Sequence, residues 1–134
     1  MFEPSKLFEV VGEPLPIGRL KEGVAPHVGH LLKAADLIRR HGLAKHTQQD
    51  DKGSMCVHGA LSIAIFGKPY GDAEFNNCAA ARALQAELLA RGIPSYKLNY
   101  HAAQWNNEPE RTAAEVIEVL EASAVRAQAA LERL

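Results

Sequence analysis

The sequence predicts a mainly α fold: a compact domain of four helices with a short two-stranded β element beside them. Three observations predict it. Alanine is the best helix former, and 22 of the 134 residues are alanine. Apolar residues recur at helical spacing in four segments. Glycine closes the first three of those segments, with proline following the second and third. The length suits one domain that buries a core without disulfides. Aromatics are only 6% of the chain, so that core rests on Leu, Ile, Val and Ala.

Residues 1–26 read as an extended N-terminal arm ahead of a single helical domain, 27–134. Pro4, Pro14, Pro16 and Pro26 interrupt regular structure there. Leu7, Phe8, Val10 and Val11 suit a short strand or a docked arm, with residues 96–100 as a strand partner; a partly ordered tail is the alternative. The first helix spans about His27 to His41, its inner stripe being Val28, Leu31, Leu32, Ala35 and Ile38. Lys33, Asp36, Arg39 and Arg40 fall mostly off that stripe, and Gly42 stops the helix. Residues 43–54 are polar and read as an exposed loop.

The second helix runs from about Ser54 to Phe66 through Val57, Ala60, Leu61, Ala64 and Ile65, ending at Gly67 and Pro69. The third covers about Ala73 to Arg91. Its inner stripe is Cys78, Ala81, Leu84 and Leu88, with Phe75 and Leu89 near the ends, and Gly92 closes it. Residues 95–104 fit either period and are read as an extended or single-turn segment. The last helix opens on Thr112-Ala113-Ala114-Glu115, a capping box in which threonine and glutamate each satisfy an amide of the first turn. Val116, Leu120, Ala124, Ala127 and Leu131 form its stripe towards Leu134.

Composition excludes several functions. A formal net charge of −1 gives no reason for nonspecific nucleic-acid binding. The two cysteines cannot make a disulfide framework or a Cys-only zinc site. The N-terminus carries acids and prolines where a secretory signal needs a basic start and an apolar run. No window approaches the about 18 apolar residues of a membrane span. A cytoplasmic protein with reduced thiols is expected.

Chemical motifs are sparse. His27 and His30 share a helical face, but His41, His46, Cys56, His58, Cys78 and His101 are not spaced to complete a metal site, and no metal or cofactor is expected. Cys56 lies near the start of the second helix, where the dipole could lower its pKa, yet no nucleophile signature surrounds it. Gly67-Lys68-Pro69-Tyr70-Gly71 lacks phosphate-loop spacing and reads as a turn. A helix-turn-helix over residues 111–134 would need a turn at Glu121-Ala122-Ser123. Residues 107–134 also hold six glutamates against three arginines, a balance that repels phosphates.

Three signals are not periodic: Cys56 with Gly59-Ala60-Leu61, then Trp105-Asn106-Asn107, then Arg111-Thr112 with Glu115-Val116. With the Leu32–Ile38 segment, they resemble a family of small uncharacterised proteins of actinobacteria and their phages, over about residues 28–122. The chain departs at Asn107, where that family tends to carry Asp. The resemblance implies a domain of unknown function and assigns no catalytic residue. On their own chemistry these residues read as framework. Trp105 anchors helices, Asn106 or Asn107 accepts from amides in the turn before Pro109, Arg111 bridges carbonyls or an acid, and Gly59 lets two helices approach closely.

The expected function is a non-enzymatic protein–protein interaction protein, phage-encoded and acting on a bacterial host protein. The Ala-rich last helix suggests a homodimer. One alternative is a small enzyme or ligand-binding protein whose site gathers Cys56, His58, Trp105, Asn106, Asn107, Arg111 and Thr112. The other is a DNA-binding regulator.

Overall fold

Proline at the first helical position, with φ already suited to a helix and no amide to waste, opens α1 at Pro26–His41. The computed structural model describes residues 8–9, 19–20, 25–68, 78–93 and 101–133. Four further helices follow: α2 (Val57–Phe66), α3 (Ala79–Ala90), α4 (His101–Asn107) and α5 (Ala113–Glu132). A strand pair, β1 (Phe8–Glu9) and β2 (Arg19–Leu20), is antiparallel with Phe8 opposite Leu20. The mainly helical class is as expected. The first strand pairs with Arg19–Leu20; its expected partner, residues 96–100, lies outside the described residues.

α1 is the centre of the packing, touching α5, α2 and α3. Its expected stripe is buried throughout, from Val28 to Ile38. Leu61 of α2, Leu84 and Leu88 of α3, Trp105 of α4 and Val116 and Leu120 of α5 close around it in one cluster. Asp36 corrects the expected polar face, since it is only 5% exposed. Arg39 and Arg40 each approach its carboxylate at 3.0 Å, which compensates the burial of the charge.

α2 starts three residues later than the stripe suggested. Ser54 and Met55 are held extended: the Ser54 hydroxyl donates to His41 O at 2.8 Å, and Met55 bridges both Leu43 and Gln49. The 43–56 segment is therefore a built loop rather than a loose one, and it contributes Ala44 and Met55 to the buried interior. Asp50 Oδ1 closes its tip by accepting from the amides of Lys52 and Ser54.

On α3 the inner face is Ala80, Ala81, Leu84, Glu87 and Leu88, while Cys78 is half-buried and Leu89 is 55% exposed. Of the expected start of that helix, residues 73–77 lie outside the described residues. Residues 101–104, read as extended or a single turn, are helical in α4; 95–100 lie outside. α5 begins with the expected capping box, Thr112 and Glu115 each accepting from the other's amide. It then runs unbroken through Glu121–Ser123, so the helix-turn-helix geometry is absent from this segment.

Glu87 links α3 to α5. Arg91 Nε and Arg126 Nε both donate to its carboxylate at 2.7 Å. Burial alone would raise the Glu87 pKa, but the hydrogen bonds from Arg126 and Arg91 outweigh it and hold the carboxyl below its ordinary value. A depressed folded-state pKa stabilises the fold above the unfolded value, and that stability is lost as pH falls through the folded one. Thermal unfolding at about pH 6 and about pH 3 should therefore show a larger loss for the wild type than for Glu87→Gln. Equal losses would contradict the clamp.

Candidate functional site

The signature residues fall into two neighbouring groups. The first is a polar clamp between the 43–56 loop, the start of α2 and α4. Cys56 has extended φ/ψ and caps α2: its Sγ accepts from Gly59 N at 3.2 Å. Asn106 is fully buried. Its Oδ1 accepts from Val57 N at 2.9 Å, and its Nδ2 donates to Ala44 O at 3.0 Å. One amide side chain thus satisfies a donor at the entry of α2 and an acceptor in the loop, neither of which has water to turn to.

Asn107 extends the clamp to the surface. Its Oδ1 accepts from His46 N at 2.8 Å and from Asn106 Nδ2 at 3.3 Å. His46 sits at φ +66°, the left-handed region that few non-glycine residues adopt. Lys45 Nζ donates to the carbonyls of Glu108 and Pro109, at 2.6 and 3.0 Å. The asparagines therefore bond across more than 45 residues of chain rather than within the turn before Pro109 as expected. Gly59 also differs from expectation. A Cβ there would run into the Gln48 carbonyl oxygen and lie 2.7 Å from its carbon, so glycine admits loop backbone, not a second helix.

The second group joins α4 to α5. Trp105 is 4% exposed and belongs to the core. The Arg111 guanidinium lies 4.4 Å from the centre of its ring. Arg111 Nε also donates to Trp105 O at 3.0 Å, and its outer nitrogens reach Glu108 at 2.7 Å and Glu115 at 2.9 Å. Thr112 is occupied as the cap of α5. Arg111 does bridge both a carbonyl and acids, as its chemistry suggested.

Among the described residues no one pocket is lined by all seven candidates. Cys56, His58 and Asn107 line a cleft of about 300 Å³ together with His46, Thr47, Gln48 and Ala103. Asn106 holds that cleft together without lining it, and Trp105, Arg111 and Thr112 stand apart from it. Thr47 and Gln48 were missed because a polar loop carries no periodic signal, and His46 was weighed there as a metal ligand rather than as a cleft wall. The clue available was Gly59, whose missing side chain marks a close approach by something.

The chain belongs to a family of unknown function, DUF6197. The match covers residues 24–126, and so takes in α1 to α4 and most of α5. It agrees with the span of the resemblance found in the sequence. No curated protein and no solved structure matches the chain. The matched span includes the residues of both the clamp and the cleft.

The Cys56 thiol is raised above its ordinary pKa by burial, which outweighs the backbone hydrogen bonds that favour the thiolate. The dipole at the start of α2 does not win. Among the described residues no three His, Cys, Asp or Glu side chains are grouped to hold a metal ion. Cys78 is also raised by burial but is the less buried thiol. Iodoacetamide at about pH 8 should label Cys78 first and Cys56 only as the protein unfolds. Labelling of folded Cys56 at the unfolded rate would contradict its role as a buried cap.

A separate groove of about 420 Å³ runs between α3 and α5, lined by Ala79, Ala83, Ala86, Ala127, Ala130 and Leu131, with His27 and Arg126 at its margin. No described helix is long and apolar enough to cross a membrane.

Proposed function

We propose that the protein is a non-enzymatic binding protein and that the cleft formed by the 43–56 loop, the start of α2 and α4 is its recognition site for a small polar molecule. The observation that carries this reading is the convergence of Cys56, His58 and Asn107 with His46, Thr47 and Gln48 on one cleft of about 300 Å³. That size suits a small ligand. Its walls offer imidazole, hydroxyl, amide and thiol groups, and among the described residues no Lys, Arg, Asp or Glu lines it. The left-handed backbone at His46, fixed by Asn107, supports a site shaped in advance.

Binding without turnover fits the chemistry of the cleft. Its thiol is protonated and spent on a helix cap. This reading keeps the binding role expected from the sequence, but replaces a bacterial host protein with a small molecule as the occupant. The size of the cleft and the lack of charged side chains among its described walls support that change.

The test is a small-molecule fragment screen followed by amide chemical-shift mapping on ¹⁵N-labelled protein. Hits should saturate and shift the amides of 46–48, 56–58, 103 and 107. Hits confined to other surfaces would overturn the reading, as would consumption of a hit by the protein. Retention of a host protein that Asn107→Asp does not weaken would favour the protein-partner alternative instead.

A further inference from the structure

The orientation of the Asn107 amide carries a more specific conclusion. Asparagine oxygen and nitrogen are told apart by their partners. Here the oxygen is identified twice, because both His46 N and Asn106 Nδ2 are donors and both point to Oδ1, at 2.8 and 3.3 Å. The side-chain nitrogen must then be the other arm. It finds no partner among the described residues, although Asn107 lines the cleft. The His46 imidazole lines the same cleft, and only the backbone of that residue is engaged among the described residues.

Two of the other polar walls are already committed. The Thr47 hydroxyl donates to Gln49 O at 3.2 Å, and Cys56 Sγ accepts from Gly59 N. Beside Gln48 and His58, which also line it, the cleft offers the Asn107 amide donor next to the His46 imidazole, which can donate or accept. Among the described residues no fixed cation lines it to offset a carboxylate, and no fixed anion lines it to hold an amine.

Resting on the binding reading above, we infer that the cleft selects a neutral carbonyl ligand of the amide or lactam class, its oxygen accepting from Asn107 Nδ2 and its N–H facing His46. Asn107 is then the residue that sets specificity. Aspartate at this position would keep the acceptor for His46 N and Asn106 Nδ2 while replacing the donor with a carboxylate oxygen.

The test uses three probes of one shape, benzamide, benzoate and benzylamine, titrated into the full chain and followed by amide shifts. In the wild type, benzamide should bind at the cleft about tenfold more tightly than benzylamine, the worth of one hydrogen bond. In Asn107→Asp, benzamide should weaken by about tenfold and benzylamine should gain. A thermal scan establishes that the variant is folded. The mapped residues of the wild type keep the result decisive if it is not. Benzoate or benzylamine binding the wild-type cleft as tightly as benzamide would overturn the inference and leave the binding reading standing. If all three probes bind only outside the cleft, both fall.

Discussion

Gly59→Ala is expected to lower stability by about 2–3 kcal/mol, and the sign is what makes it informative. Gly59 is a helical position, and helix propensity alone would have alanine stabilise it by up to about 1 kcal/mol. Packing opposes this. The added methyl would meet the carbonyl oxygen of Gln48 and stand 2.7 and 2.9 Å from its carbon and Cα. Those are backbone atoms, so no rotamer change relieves the clash. The loop must lift, breaking the Cys56 N to Gln48 O hydrogen bond of 3.3 Å and distorting one wall of the cleft. Thermal unfolding should show a fall of roughly 10 °C. An unchanged or higher midpoint would mean that the loop does not lie on α2 as described.

Asn106→Ala has the largest expected cost, about 3 kcal/mol or more, because it orphans Val57 N–H and Ala44 C=O at once. The asparagine is fully buried, so water does not replace what is lost. Asn106→Asp should be no remedy. It keeps the acceptor for Val57 N, but it sets an oxygen against the Ala44 carbonyl and buries a charge. Chemical denaturation of both variants checks this. A loss below about 1 kcal/mol in Asn106→Ala would place the residue among ordinary surface positions.

The helices were legible because their cause is local. Val28, Leu31, Leu32 and Ile38 repeat at helical spacing, and Thr112 and Glu115 form a cap within four residues; both are as expected in the fold. What was not legible is made between distant residues. Asp36 looks like a surface charge until Arg39 and Arg40 close over it. Asn106 looks like a turn residue, yet its partners are Ala44 and Val57. The seven candidate residues were chosen as one group because they are chemically distinctive. The fold divides them, since α4 is a single short helix whose adjacent residues Trp105, Asn106 and Asn107 point to the core, the loop and the surface in turn. Gly59 was recognised as a close-approach position, but a missing side chain says only that something is near.

Asn106 ties the 43–56 loop to the start of α2 and so builds the cleft before any ligand arrives. Native-state hydrogen exchange at Val57 N–H tests it most directly, because that amide sits at a helix start and has the Asn106 side chain as its acceptor. Exchange close to the global unfolding rate is expected in the wild type, with a collapse of that protection in Asn106→Ala. Exchange of Val57 at the rate of an open helix end in the wild type would contradict it.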